Sequence, residues 1–294
     1  MKILVTGVTG FIGQNLVQKL IDDNHEVHAL VRDHSDISGI KEQVKIYTYN
    51  ENTSDLISFF QKEMFNGVIH LASLFLASHT PDDISKLISS NIKFGTELLE
   101  AAISSDVTWF INTGTFWQNY ENKSYNPVNL YAATKEAFEN IAKFYTQTSS
   151  LVFTNIKLND TFGANDTRAK VFNLWTNIAT SGERLSMSAG EQIIDISYIE
   201  DVINAYTRLI YLLEEDANKH KNKTYVISNK EKLSLKDLSK VFEKATNSEL
   251  DIDWGGRDYR NREVMSPYNL GESVPGWKQK YTLEEAIRKT VKEI

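Results

Sequence analysis

Two side chains four residues apart, in the segment Tyr131-Ala132-Ala133-Thr134-Lys135, carry the clearest chemistry in this chain. On a helix that spacing sets a phenol and an ammonium on one face, roughly 5–6 Å apart at Cβ, so that each acts on the other. A neighbouring ammonium favours tyrosinate, which lowers the phenol's pKa toward the operating pH and makes it a usable acid and base. By itself the pair equally describes a solvated helix face. A third group changes the weighing: Thr113 follows the apolar run Val107–Asn112 and so stands at the C-terminal end of a strand, where ligands of open α/β sheets bind. There its hydroxyl would orient a carbonyl oxygen beside Tyr131, the plain alternative being strand-end capping.

A glycine turn supplies the second constellation. Val5-Thr6-Gly7-Val8-Thr9-Gly10-Phe11-Ile12-Gly13 joins the apolar run Ile3–Val5 to an amphipathic run, Phe11–Ile21, giving strand, turn and helix. Gly7 allows the sharp turn, Gly10 lets a pyrophosphate approach the backbone, and Gly13 allows the helix to pack closely on the strand. The helix N-terminus then presents free N–H groups and a positive dipole end to the anion. Gly7, Thr9, Gly10, Phe11, Ile12 and Gly13 are therefore the expected dinucleotide contacts, against the alternative of an ordinary strand-to-helix turn. The stretch EVHALVRD bears on which dinucleotide binds. NAD-preferring folds end this strand with Asp or Glu, whereas here Val31 takes that position and Arg32 follows, a guanidinium suited to a 2′-phosphate. NADPH is expected, NAD less so, with Asp33 as the competing ribose partner.

These groups need a frame to hold them, and the periodicities describe one. Strands are predicted at Glu26–Val31, Val44–Tyr47, Gly67–Ala72, Val107–Asn112 and Leu151–Leu158, and helices at Ser54–Met64, Asp82–Ser104 and Asn129–Thr148. The strict alternation implies right-handed βαβ units and a Rossmann-type, doubly wound parallel sheet over residues 1–163. Beyond Gly163 the regularity weakens: a helix near 170–180, a short strand at Ile193–Ile196, a helix over Ile199–Leu213, mixed segments, and a final helix over Leu283–Ile294. Residues 164–294 read as a smaller α+β substrate lobe that does not fold alone. His70 reads as packed or backbone-bonded, since no second metal ligand sits at useful spacing, and no metal site is expected.

Composition narrows the partners. With 41% hydrophobic residues in 294, the chain can bury a substantial core. A net charge of −7 with no dense Lys/Arg block argues against nucleic acid or an anionic membrane surface, and the absence of cysteine removes disulfides, thiolate metal sites and cysteine catalysis. No apolar run approaches a membrane span and the first twenty residues are committed to the nucleotide turn, so a cytoplasmic location is expected.

Taken together, TGVTGFIG at 6–13, VIHLAS at 68–73, Asn91 with Gly95-Thr96, Thr113, YAATK at 131–135, GEQIIDISYIEDV at 190–202 and PGWKQKYTLEEAI at 275–287 resemble the extended short-chain dehydrogenase/reductases, the superfamily of nucleotide-sugar epimerases, dehydratases and reductases. The likeness spans nearly the whole chain. It implies proton exchange between Tyr131 and a sugar hydroxyl or ketone, Lys135 on the nicotinamide ribose, Thr113 on the sugar oxygen, Leu71 and Ala72 as further cofactor contacts, and a homodimer built on the helices near 82–104 and 129–148. It also implies that Arg260 grips the substrate's diphosphate, while Asp160, where relatives commonly have Asn, bears on sugar recognition. NTGTFWQN, YAATKEAF and REVM are most similar to bacterial nucleotide-sugar 4-ketoreductases of deoxysugar pathways that feed surface polysaccharide such as O-antigen.

Departures select among reactions. The family's 4,6-dehydratases follow their threonine with an Asp-Glu pair, but Gly114-Thr115 follows Thr113 here; the 3,5-epimerase/reductases need a cysteine, which is absent; and the usual Arg-Asp is Ile194-Asp195, so one substrate contact must come from elsewhere. The expected activity is NADPH-dependent reduction of the 4-keto group of a nucleotide-linked 6-deoxy or 3,6-dideoxy hexose. An NAD-retaining 4-epimerase is the nearest rival, and a non-enzymatic dinucleotide sensor the rival of another class.

Overall fold

The chain begins with β1 (Lys2–Thr6), α1 (Phe11–Asp22), β2 (Glu26–Arg32), β3 (Lys45–Tyr49), α2 (Thr53–Glu63) and β4 (Gly67–His70), close to the order and limits that the periodicities predict. A computed structural model describes residues 1–40 and 42–291. The single helix expected over 82–104 is instead a 3-10 turn followed by α3 (Ile84–Ile88), a π-helical turn (Ser89–Lys93) and α4 (Phe94–Ile103). β5 (Trp109–Thr115) continues past Asn112, where the strand was expected to stop. α5 (Leu130–Thr148) starts at an Asn129 cap whose side chain accepts from Ala132 N at 3.0 Å, and β6 (Val152–Leu158) follows.

The second half carries more structure than its sequence suggests: β7 (Asp160–Phe162), α6 (Val171–Ser181), β8 (Leu185–Met187), β9 (Ile193–Ile194), β10 (Ile196–Tyr198), α7 (Ile199–Asp216), β11 (Thr224–Ile227), β12 (Leu233–Ser234), α8 (Leu235–Thr246), β13 (Ile252–Trp254) and α9 (Leu283–Thr290). The strand expected at 193–196 is two strands, because β9 pairs antiparallel with β12 while β10 pairs parallel with β7. Of the helix expected over 283–294, positions 292–294 lie outside the described residues.

All seven strands of the main sheet are parallel, in the order β11-β6-β5-β4-β1-β2-β3. This is the Rossmann-type doubly wound arrangement, and its reversal of strand order at β1 and β4 opens a crevice above the strands' C-terminal ends. The seventh strand, β11, comes from beyond residue 163, so the expected boundary there does not coincide with the sheet's edge; pairing with β11 satisfies the outer edge of β6. On one face Leu16 and Leu20 of α1 and Val202, Tyr206 and Leu209 of α7 pack over Ile111 and Ile156. On the other, Phe60 of α2, Leu98 of α4 and Phe138 of α5 cover Leu4, Val68 and Phe110. Covering both faces explains why these strands read as unbroken apolar runs. Trp175, Phe242 and Leu283 belong to the same core as Ile3 and Val5, which ties the C-terminal lobe to the sheet. Among the described residues no helix is long and apolar enough to cross a membrane.

Candidate active site

At the nucleotide turn the three glycines serve different ends. A Cβ on Gly7, whose φ is +74°, would stand 2.6 Å from Ala72 N, and one on Gly13 would stand 2.1 Å from Gly7 O, so chain packing alone demands glycine at both. Gly10 differs: its Cβ would meet only Gly7 O, at 3.3 Å, and the residue faces solvent. Gly10 also caps α1 without any side-chain hydrogen bond, leaving the first N–H groups of the helix, from Phe11 and Ile12 onward, directed outward beside exposed Thr9. An open approach to uncapped N–H groups suits a pyrophosphate. Leu71 N and Ala72 N bond to Thr6 O (3.3 Å) and Thr6 Oγ1 (3.2 Å), which presses the segment after β4 against Gly7. Arg32 is exposed at the C-terminal end of β2, its backbone N–H donating to Ser35 Oγ at 3.0 Å, while Val31 is buried. Asp33 is exposed beside it.

Around Tyr131 three segments converge. Asn129 Nδ2 donates to Leu76 O (3.1 Å) and Ala77 O (2.9 Å), tying the start of α5 to the loop after β4. The hydroxyls of Ser73, in that loop, and Thr115, at the end of β5, favour ionisation of the Tyr131 phenol. Thr113 does not: its Oγ1 lies 2.6 Å from the hydroxyl of Tyr206 on α7. The expectation for Thr113 is thereby corrected, and the cause is strand length. Because β5 runs on to Thr115, the hydroxyl at the mouth of the crevice comes one strand period later. The pKa expectation is corrected too. Burial pushes the phenol up to about 12, opposed by the Ser73 and Thr115 hydroxyls, and Lys135 is not among the groups that move it. Lys135 is itself buried, 1% exposed, and burial lowers its ammonium to about 8 while Glu139, one turn along, pulls the other way. In a low-dielectric setting the neutral form of each group gains, which outweighs their mutual attraction.

Beside this cluster lies a cavity of about 470 Å³, lined among others by Phe116, Trp117, Asp160, Ile194, Arg260 and Arg262. Arg260 is exposed and Asp160 is paired with Lys170 at 2.9 Å. Lys170 also sits 5.2 Å over the ring of Phe75, which is 46% exposed and packs against Tyr131 and Trp117 at ring distances of 5.0 and 5.5 Å. Arg262, missed in the sequence, brings a second guanidinium to the cavity, 4.4 Å over the Tyr120 ring. Ile194 and Asp195 both line the wall, and Asp195, buried, takes hydrogen bonds from Asn229 N (2.8 Å) and Ser228 Oγ (2.5 Å). His70 Nδ1 lies 2.8 Å from Thr6 Oγ1 among aromatic rings, as its packed reading requires. A Glu26/His28/Glu63 group lies at the opposite, N-terminal end of the sheet, knit to Lys45 (2.6 Å) and Lys2 (3.2 Å). Ser73 and Thr115 were also missed; Thr115 was detectable as the next hydroxyl on the same strand face.

The model of the NAD dependent epimerase/dehydratase family matches residues 3–228. The chain is 28% identical to CDP-abequose synthase of Salmonella muenchen over 98% of this chain and 96% of that protein, and 28% identical to its Yersinia pseudotuberculosis counterpart over 91% and 92%. Among solved structures it is similar to UDP-glucose 4-epimerase of Thermotoga maritima with UDP-glucose (TM-score 0.85, 22% identity, 99% of this chain and 97% of that one). UDP-glucuronic acid 4-epimerase of Bacillus cereus with UDP-glucuronic acid and NAD is likewise similar (TM-score 0.83, 19% identity, 98% and 97%).

Proposed function

Because the chain belongs to the NAD dependent epimerase/dehydratase family, we propose that it is a cytoplasmic, NADPH-dependent reductase of the 4-keto group of a nucleotide-linked 6-deoxy or 3,6-dideoxy hexose. The relatives named CDP-abequose synthase, matched over nearly their full length, support a nucleotide-sugar substrate in deoxysugar biosynthesis. What supports reduction over 4-epimerisation is Arg32, exposed at the C-terminal end of β2 and suited to NADPH, a cofactor that exchanges with the pool, while Phe116 and Trp117, the two residues after Thr115, offer neither the acid nor the base that dehydration needs. Elimination of water therefore still lacks its catalysts after the hydroxyl is reassigned from Thr113 to Thr115.

NADPH, bound along the glycine turn, supplies the hydride. Tyr131 gives its proton to the ketone oxygen as charge develops there, and Thr115 Oγ orients that oxygen. Lys135, one turn after Tyr131 on α5, would hold the nicotinamide ribose. Arg260, with Arg262 in place of the cation that Ile194 does not provide, faces the substrate diphosphate. Phe75, Phe116 and Trp117 give the sugar end an apolar lining suited to deoxygenated carbons. Arg32 would favour NADPH over NADH by about ten- to a hundredfold, the worth of one charge-assisted contact. We further infer a homodimer through the 82–104 and 129–148 helices, where Ile84, Ile88 and Phe144 are exposed; sedimentation as a monomer at micromolar concentration would contradict it.

The test is incubation of the pure protein with NADPH and a panel of nucleotide-linked 4-keto sugars, following loss of reduced-nicotinamide absorbance. Net consumption supports the reductase. Tightly bound NAD in the purified protein, with interconversion of 4-epimers and no net consumption, would establish the epimerase instead. Dinucleotide binding with no turnover of any nucleotide sugar would leave the sensor.

A further inference from the structure

We propose that Arg168 is a further dinucleotide-binding residue, whose guanidinium pairs with the pyrophosphate at the start of α1. The inference rests on reading the glycine turn as the dinucleotide site, and it brings to that site a positive charge that no side chain within Gly7–Gly13 supplies.

The loop between β7 and α6, residues 163–170, is fastened to the turn and to α6. A Cβ on Gly163 would stand 3.2 Å from Phe11 Cζ, so the chain leaves β7 against the ring of the residue that opens α1. Farther along, Asn173 Nδ2 on α6 donates to Asp166 O at 2.5 Å and to Arg168 O at 2.8 Å. Between these anchors Arg168 turns back toward the turn, and its guanidinium lies 4.6 Å over the Phe11 ring. Its orientation is fixed by its own neighbours. Nε and Nη2 donate to the two oxygens of Asp166, each at 2.7 Å, and Nη2 also donates to Thr161 O (2.9 Å) and Thr161 Oγ1 (3.1 Å) on β7. A guanidinium carries five N–H donors in a rigid fork. Those contacts engage Nε and Nη2, and among the described residues Nη1 makes no hydrogen bond. Asp166 is 3% exposed at its side chain, whereas Arg168 keeps 36% of its own open.

Phe11 therefore serves two ends. Its backbone N–H belongs to the uncapped first turn of α1, beside the approach that Gly10 leaves open, and its ring carries the cation. In a chain of net charge −7 an anion is held by local groups, and a planar guanidinium matches phosphate oxygens better than a point charge does. Because Asp166 and Thr161 already hold the side chain, little rotamer freedom remains to be lost on binding. A role as a loop staple accounts for the Asp166 pair but not for a cation set on the ring at the nucleotide turn with Nη1 uncommitted. Asp166 gives the experiment its sign, since its negative charge favours the guanidinium and opposes the pyrophosphate.

The experiment titrates NADPH and NADH calorimetrically into wild type, Arg168→Met, Arg168→Lys and Asp166→Asn, with circular dichroism to establish that each is folded. Arg168→Met should weaken both dinucleotides by the same factor, roughly ten- to a hundredfold, the worth of a charge-assisted contact, and Arg168→Lys should recover part of that loss. A loss confined to NADPH would assign Arg168 to the 2′-phosphate and overturns the proposal, as does unchanged affinity in Arg168→Met. Asp166→Asn keeps an acceptor for Arg168 N and Nε while removing the opposing charge, so it should tighten both dinucleotides. If Arg168 only staples the loop, Asp166→Asn and Arg168→Met loosen the same pair and weaken binding alike, which also overturns it. Should Asp166→Asn fail to fold, rising salt decides: a charge contact narrows the gap between wild type and Arg168→Met, and a gap that salt leaves unchanged marks a staple. Binding by the wild type tests the reading of the turn, and the differences among variants test Arg168. Neither needs a reducible sugar, so the assignment stands or falls apart from the reductase; a wild type that binds neither dinucleotide ends both.

Discussion

The glycine turn and the neighbourhood of Tyr131 sit at the same end of the same sheet, yet they are built in opposite ways. In the turn every contact that forces a glycine falls within Gly7–Gly13 or on Leu71 and Ala72 immediately across from it. Around Tyr131 the contacts come from the loop after β4, the end of β5, the π-helical turn and α5, segments brought together only by folding. A local motif tolerates no register error and shows its function in its spacing. An assembled site moves its working residues whenever a strand ends a few positions later than its pattern suggests, as β5 does at Thr115 instead of Asn112, and the step from Thr113 to Thr115 is such a shift.

The largest effect should come from the assembled region. Tyr131→Phe removes its only phenolic proton and should cut turnover by about 10²–10⁴-fold while leaving dinucleotide affinity intact, as steady-state kinetics and calorimetric titration would record. Unchanged turnover would dissolve the contrast by showing the assembled region to be inert.

Within the turn, Gly10→Val should abolish dinucleotide binding with little loss of folded structure, since its Cβ meets only Gly7 O at 3.3 Å, whereas Gly13→Val, at 2.1 Å from the same oxygen, should cost the fold. Circular dichroism with calorimetric titration separates the two. Equal unfolding in both would make the whole turn structural.

The two threonines of β5 sharpen the comparison further. Thr115→Ala should lower kcat by about 10²-fold, the scale of one lost donor at a developing oxyanion. Thr113→Ala should instead leave Tyr206 without its partner and cost about 1–3 kcal/mol of stability, read as a drop in Tm with modest change in rate. The reverse order would restore Thr113 to the site.

A last effect concerns pH. Lys135, lowered from 10.5 to about 8 when folded, binds fewer protons in the folded chain than in the unfolded chain between those values, so it lowers stability below pH 8 and that loss is relieved as pH rises toward 10.5. Relative to Lys135→Met, the wild type should gain up to about 3 kcal/mol across that window, measured by urea unfolding at several pH values. A constant difference would mean that Lys135 is not desolvated.

Much was legible before any coordinates. Residues 1–158 alternate apolar strand and amphipathic helix so regularly that fold class and the Tyr131–Lys135 helix follow from the pattern, because parallel strands covered on both faces leave long apolar runs and their connecting helices leave a 3.6-residue period. The C-terminal half was poorly legible for the converse reason. Its strands β7 to β10 and β13 are two or three residues long and pair with distant partners, too short for a period to register.

By itself, the sequence determined the glycine turn, the Arg32 at the end of β2, and the presence of a phenol and an ammonium on one helical face, since each shows in the spacing of residues close together in the chain. Tertiary structure alone decided that Thr113 Oγ1 turns to Tyr206, that β11 closes the sheet, and which way the phenol's pKa moves. The reason is physical. Burial and hydrogen bonding are set by what other segments bring to a side chain, and in a desolvated site that outweighs the charge one turn away.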